Sequence, residues 1–437
     1  MQITIHRGID QIGGCITEIS TATNRIFIDM GDNLVGSGMV LSSEEKEEFV
    51  TTLFAQKKRD TEAVFFTHSH SDHTGMIGLI PESVPKYMSQ GSKDLLLIKE
   101  GVLAKAADMA GDSLIHKSCY VPAIQSCITW QRPKRGQAPE PIMVGDIKVT
   151  PFFVSHSTYD ASMLLVEADG KTILHTGDYR SHGYLSKGLF PTLNKYIRQV
   201  DYLITEGTML GRNEICETER EVSERMYHAM KAFKYVFVLA SSTDIERLAA
   251  IHSAANRAER VFVSCSLMHY STLEYFRENA KHELFGFKFY KYSPSRESKK
   301  LIAKMQRDGF VMVVGSTHGE RVQQIMSHFN SGQTLLIYSS WDGYYKIPEQ
   351  VEANSAYKNI RELFANVVDI HTSGHADTET IAKVIKTVIP REGIIGIHKD
   401  ANTSLTSLDL PEELMGKIVP ERKELENITV NKASKPL

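Results

Sequence analysis

The run His68-Ser69-His70-Ser71-Asp72-His73 puts three imidazoles and a carboxylate on one short stretch. Imidazole nitrogen and carboxylate oxygen are the donors that suit a catalytic zinc ion. The run follows Ala63-Val64-Phe65-Phe66-Thr67, an apolar stretch that reads as a buried strand of a parallel sheet. It precedes Thr74-Gly75-Met76, where a helix is expected to open. The histidines thus fall on a strand-to-helix loop, where a rigid scaffold presents functional groups. Alternate residues of an extended loop point the same way, so His68 and His70 can chelate one ion. Asp72 and His73 face elsewhere and can begin a second site. A polar loop with accidental histidines is the plain alternative. A strand that delivers H-x-H-x-D-H in register argues against it.

The same grammar, an apolar strand that runs straight into a histidine or an acid, recurs along the chain. Residues 147–154 run into His156, residues 171–175 into Asp178, and residues 200–205 into Glu206. Residues 367–371 lead to Ser373-Gly374-His375, and residues 393–397 deliver His398. Ligands of open α/β sheets gather at such strand ends. An earlier strand, residues 25–28, ends at Asp29. His175, inside a strand, reads as core. His6, His116, His182, His228 and His252 have no ligand-like surroundings.

From about residue 208 helices alternate with apolar strands. Helices are expected over 217–233 and 244–257, and strands over 235–240, 261–264, 310–314 and 334–338. This is the pattern of a separate doubly wound unit. Ser241-Ser242-Thr243, Gly315-Ser316-Thr317 and Ser373-Gly374 each stand between a strand and a helix. Exposed N–H groups there suit phosphate oxygens, and ordinary N-caps explain the hydroxyls equally well. Lys288, Lys291, Arg296, Lys299, Lys300 and Lys304 form the densest basic stretch, a solvated face or a groove for a phosphate backbone. Lys57-Lys58-Arg59 closes a helix expected over 43–59, and residues 133–139 form a basic surface loop.

The 437 residues are 42% apolar and 24% charged, which is a globular composition with room for two or three domains. No apolar run approaches the roughly 18 residues of a membrane span. Met1-Gln2-Ile3-Thr4-Ile5 starts as a strand without a basic flank or apolar signal core. Cys15, Cys119, Cys127, Cys216 and Cys265 are scattered and read as free thiols of a reducing compartment, so a cytoplasmic protein is expected. The net charge of −3 neither requires nor excludes a nucleic-acid partner. Residues 90–120 read as a mostly helical insertion and residues 427–437 as disordered.

Taken in order, His68, His70, Asp72, His73, His156, Asp178 and His398 resemble the metal-binding series of the metallo-β-lactamase fold, and Asp29 matches its first motif. Glu206, His375 and His398, around an inserted α/β unit, resemble the three further motifs of the β-CASP branch, which includes ribonuclease J and the endonuclease of the cleavage and polyadenylation specificity factor. Ser373-Gly374-His375-Ala376 and Gly315-Ser316-Thr317-His318-Gly319-Glu320 look most like the ribonuclease J side. There are two departures. Lys399 follows His398 where the branch usually has glycine, and the chain has no room for a further C-terminal domain like that of ribonuclease J. The resemblance implies an αββα sandwich over residues 1–207, an inserted doubly wound α/β domain over 208–366 and a return segment over 367–437.

It also implies a site with two zinc ions, with manganese as an alternative. His68, His70 and His156 would bind the first and Asp72, His73 and His398 the second, with Asp178 bridging. His375 would be the general acid, oriented by Glu206, and Asp29 would brace the histidine loop. Ser373, Gly374, Ser241 and Ser316 are the expected phosphate contacts. A histidine rather than a valine at the last motif points by analogy to RNA, with the substrate in a cleft between the two domains. The expected activity is cleavage of single-stranded RNA, in endo or 5′-exo mode. The alternatives are a DNA nuclease or small-ester hydrolase on the same fold, and a non-catalytic nucleic-acid-binding scaffold.

Overall fold

The structure is a computed structural model that describes residues 1–34, 36, 40–55, 59–110, 120–134, 136–212, 216–293, 298–420 and 427–429. The chain divides into two compact units. The first comprises Met1–Ser181, Leu185–Ile215 and Gly374–Leu437, and the second His182–Tyr184 and Cys216–Ser373.

In the first unit one sheet has the order Asn427–Thr429, Gln2–Arg7, Ile16–Ser20, Asn24–Ile28, Thr61–Phe65, Lys86–Ser89, Ile128–Trp130. The other has the order Gly393–Ile397, Tyr202–Glu206, Lys171–His175, Ser162–Ala168, Ile147–Phe153, Ile142–Val144. Each sheet is part parallel. Thr61–Phe65 pairs in parallel with both its neighbours, and so does Tyr202–Glu206. Period-two side chains sort the faces. Ile26, Ile28, Ala63 and Phe65 pack against Ile173, Ile204 and Ile395 of the other sheet. Their alternates Phe27, Val64 and Phe66 meet Val50 and Leu53 of the helix Ser43–Ala55. Leu174, Leu203 and Ile394 meet Ile381, Ile385 and Val388 of the helix Thr378–Val388. The result is the αββα sandwich that the resemblance implies.

The second unit has one sheet, parallel at every pairing: Tyr290–Lys291, Val261–Ser264, Phe310–Val314, Tyr235–Leu239, Thr334–Tyr338, Val367–Asp369. Its strand order reverses between Phe310–Val314 and Tyr235–Leu239, as in a doubly wound fold. Thr218 opens the helix Glu219–Ala232 with a reciprocal capping box, and Asp244 caps the helix Ile245–Arg257. A buried ion pair joins these helices, with Arg247 Nη2 donating to Glu219 Oε1 at 2.9 Å.

Four local expectations change. The helix after the histidine run opens at Ser71, not Thr74, and spans Ser71–Thr74. Val367–Asp369 pairs with Thr334–Tyr338 through Leu336–Val367, so this strand completes the second unit's sheet instead of starting the return segment at residue 367. The insertion likewise begins near residue 216 rather than 208. Asn427–Thr429, expected to be disordered, forms a strand antiparallel to Gln2–Arg7. Residues 430–437, Lys57, Lys58, His116, Cys119, Arg135 and Arg296 lie outside the described residues. Among the described residues no helix is long and apolar enough to cross a membrane.

Candidate metal centre

The histidine run is split by a change of backbone. His70 is extended, and Asp72 and His73 ride on the short helix that follows. The inner nitrogens of His68 and His156 converge on His70: Nε2 of each lies 3.1 and 3.2 Å from His70 Nδ1. Their outer nitrogens are occupied. His68 Nδ1 is 3.0 Å from Thr67 Oγ1, and His156 Nδ1 donates to the Gly374 carbonyl at 2.7 Å. A neutral imidazole carries one N–H. With that hydrogen on the outer nitrogens, the two inner nitrogens turn lone pairs toward His70, where they can accept its N–H or bind a cation.

Asp72, His73, Asp178 and His398 form a second group, each offering a donor atom within 4.8 Å of the others. His398 Nε2 lies 3.1 Å from Asp72 Oδ2, and His73 Nε2 lies 3.2 Å from Asp178 Oδ2. His73 Nδ1 donates to Asp29 Oδ2 at 2.8 Å, leaving its buried Nε2 to face Asp178 and Asp72. Asp29 also accepts from the Thr67 amide and hydroxyl, at 2.7 and 2.8 Å. It therefore braces both the run and the strand end. Asp178 Oδ2 lies 3.8 Å from His68 Nε2 and 3.7 Å from His156 Nε2, so one oxygen reaches both groups. The donor set fits metal ions: nitrogen and carboxylate oxygen only, nearly all buried, with outer nitrogens fixed by acceptors.

His375 stands beside them. Its Nδ1 donates to Glu206 Oε2 at 2.9 Å, and its side chain is 21% exposed. Glu206 Oε1 in turn accepts from the Tyr179 amide at 3.0 Å. Burial opposes charge on His375, but Glu206 and then Asp178 and Asp72 outweigh it and raise the pKa. Burial lowers His70 to about 4 and holds His68 and His156 well below the usual histidine range, so these rings stay neutral donors. For His73 burial is outweighed by Asp178, Asp29 and Asp72, and its pKa is raised.

Two ends of strands reach the site through left-handed backbone, at φ 62° for Asp29 and 52° for His398. Such conformations are strained for residues with a Cβ and persist where surroundings enforce them. At His398 the amide donates to the Gly8 carbonyl at 2.6 Å. Lys399 is accommodated beside it, fully buried, with Nζ donating to the Thr403 carbonyl at 2.8 Å. Lysine in place of glycine therefore leaves His398 within reach of Asp72.

Of the expected phosphate contacts, Gly374 lies in the first unit and Ser373, Ser241 and Ser316 in the second. Ser241 Oγ accepts from the Thr243 amide at 3.3 Å, a local turn. A Cβ at Gly374 would strike Ser157 Oγ, so glycine there lets the carbonyl reach His156. Sequence reasoning missed Thr67 and Thr208. Thr208 Oγ1 lies 2.7 Å from His398 Nδ1 and 3.1 Å from His375 Nδ1, tying the two rings together. The one signal for it was its place directly after Glu206-Gly207.

A profile of the β-lactamase superfamily domain matches residues 50–253. An RNase J-like protein of Methanocaldococcus jannaschii is 22% identical over 92% of this chain and 94% of its own length. The transcription termination factor FttA of Pyrococcus abyssi is 20% identical over 93% of this chain and 67% of its own. Ribonuclease J of Sinorhizobium meliloti is 22% identical over 79% of this chain, which spans 59% of that protein. A crystal structure of an Enterococcus faecalis protein of unknown function superposes with a TM-score of 0.72 at 21% identity, covering 98% of this chain and 99% of that one. The chain has the metallo-β-lactamase fold with the β-CASP insertion, a fold that implies bound metal ions, and it is similar over most of its length to proteins named RNase J-like and ribonuclease J.

Proposed function

We propose that the chain is a metal-dependent ribonuclease that cleaves phosphodiester bonds of single-stranded RNA. The observation that carries this is Asp178, whose one oxygen reaches the His68–His156 group and the His73–His398 group alike. His68, His70 and His156 would hold one zinc ion and Asp72, His73 and His398 the other, with Asp178 between them; manganese is the alternative ion. When bound, such ions acidify a water and take up charge on phosphoryl oxygens. Asp29 and Thr67 hold the histidine loop in register. His375, kept charged by Glu206, is placed to protonate the leaving oxygen. The relatives named ribonuclease J and FttA support RNA as the polymer. Ser373, Gly374, Ser241 and Ser316 would meet phosphates along it.

The test is metal content on the purified chain, paired with cleavage of end-labelled single-stranded RNA and DNA. Two zinc ions per chain and RNA cleavage that stops with chelator are expected. Single nucleotides would mark a 5′-exonuclease and internal fragments an endonuclease. Bound metal without cleavage of RNA overturns the substrate, and absence of metal overturns the reading.

A further inference from the structure

Residues 284–304 of the second unit have no part in the reading above, and their composition is lopsided. They hold six Lys and Arg and five aromatic residues against one acid, in a chain whose net charge is −3. Rings interleaved with cations suit single-stranded nucleic acid, because bases stack on the rings and lysines meet the phosphates. The structure puts the centre of this stretch on the rim of the sheet. Tyr290–Lys291 is its outermost strand, paired with Val261–Ser264 on one side and with no strand on the other among the described residues. Tyr290 is 48% exposed, and Lys288 and Lys291 are exposed with it.

Rings and cations already meet here. On one face of the strand Lys291 Nζ lies 4.3 Å from the Tyr270 ring centre, and the Arg277 guanidinium 5.4 Å from that of Phe289. Tyr290 points to the other face, where Lys304 Nζ lies 6.0 Å from its ring centre. Lys300 stands one turn before Lys304 on the helix Ser298–Asp308, on the same side. Acids cover part of this charge. Glu274 and Glu278 lie beside Arg277, and Asp308 beside Lys304 and Arg307. Lys288, Lys291, Lys299 and Lys300 meet no carboxylate among the described residues. Lys299 and Lys300 also occupy the first turn of their helix, where the macrodipole disfavours cations. The helix gains no stability from them there, and a phosphate backbone would.

We infer that Tyr290, Lys288, Lys291 and the two lysines that open the helix Ser298–Asp308 form a surface that binds single-stranded RNA, the lysines by its phosphates and the tyrosine by a stacked base. The inference rests on the proposal that RNA is the substrate. Long RNA gains affinity from such a surface by occupying it and the metal centre together, and a trinucleotide does not.

The experiment is fluorescence anisotropy of the metal-loaded full chain with a labelled, phosphorothioate-linked oligouridylate that resists cleavage, over a range of salt. Tyr290→Ala should weaken binding about tenfold and leave the salt dependence as it is. Tyr290→Phe, which keeps the ring, should bind as the natural chain does and so separates lost stacking from lost folding. Replacing Lys288, Lys291, Lys299 and Lys300 together by Ala should weaken binding and lower the slope of log affinity against log salt by about 2–3. In both weakened variants KM for long RNA should rise while kcat holds, and a trinucleotide should be cut at the natural rate. Binding and KM unchanged in both overturns the surface and leaves the ribonuclease reading standing. Loss in the lysine variant with full affinity in Tyr290→Ala also overturns it, since a bare cationic face attracts any polyanion. A natural chain that cuts no RNA yet binds it through Tyr290 overturns the ribonuclease reading and leaves the surface standing.

Discussion

The two units bring similar apolar strands to very different ends. In the first, Lys171–His175, Tyr202–Glu206 and Gly393–Ile397 run into Asp178, Glu206 and His398, where buried nitrogen and carboxylate oxygen donors crowd within 4.8 Å of one another. In the second, Tyr235–Leu239 and Phe310–Val314 run into Ser241, which closes a short turn, and Gly315-Ser316, where a short helical turn begins and Ser316 meets Tyr357. Its buried charge, Arg247, is fully engaged: Nε and Nη2 donate to Glu219 and Nη1 donates to Ser339, at 2.7–2.9 Å. A buried polar group that the chain itself completes is structural. Several imidazoles and carboxylates that crowd together with outer nitrogens fixed by acceptors are instead arranged as a donor set for a cation.

The sharpest way to break this contrast is to remove a first-unit donor. His70→Ala or Asp72→Ala should lower RNA cleavage by about 10³-fold or more and cost metal, with far-ultraviolet circular dichroism unchanged. Full activity in either variant would make the group structural after all. His375→Ala should keep its metal and lose roughly 10²–10⁴-fold in rate, the range for a general acid. Metal lost together with rate would reassign His375 as a ligand.

Arg247→Ala should cost the second unit about 3–5 kcal/mol in urea unfolding, because Glu219 is left buried and unpaired. Replacing both, Arg247→Met with Glu219→Leu, should cost less than Arg247→Ala alone. The reverse order would mean that the pair itself, rather than its completeness, supplies the stability.

Acid should also act on the second unit. Burial lowers His252 and His269 to about 4. The unfolded chain takes up these protons near pH 6.5 while the folded one refuses them. Stability is therefore full above about pH 6.5 and falls as pH drops toward 4, by up to about 3 kcal/mol for each ring. A urea midpoint unchanged between pH 7 and 4.5 would contradict this. The smallest effect is expected at Ser241→Ala. If the hydroxyl only closes a turn, stability falls by about 1 kcal/mol or less and KM for RNA holds. A raised KM with unchanged stability would instead place a phosphate there.

The candidate site residues were legible because their chemistry is rare and their strands are plain: apolar runs ending in His156, Asp178, Glu206 and His398 stand out in any window. Thr67 and Thr208 were not, because a hydroxyl after a strand is indistinguishable from an ordinary cap. Only the folded chain shows Thr208 lying between two imidazoles. The edge strand Val367–Asp369 looked like the start of the return segment because it precedes His375. Its membership is decided by the neighbour it pairs with, which no local pattern records. The onset of the short helix at Ser71 escaped for a similar reason. Helix propensity is weak over four residues, and the packing that decides it comes from afar, as when the Asp32 amide donates to the Ser71 carbonyl at 3.0 Å.

The Gly8 carbonyl that holds His398 comes from the start of the chain, and His398 comes from its last long strand. A polypeptide made from its N-terminus presents His68 to His73 early and lacks their partner until some 300 residues later have left the ribosome (residues 73 to 398 in the sequence). During that interval the group of Asp72, His73, Asp178 and His398 is incomplete.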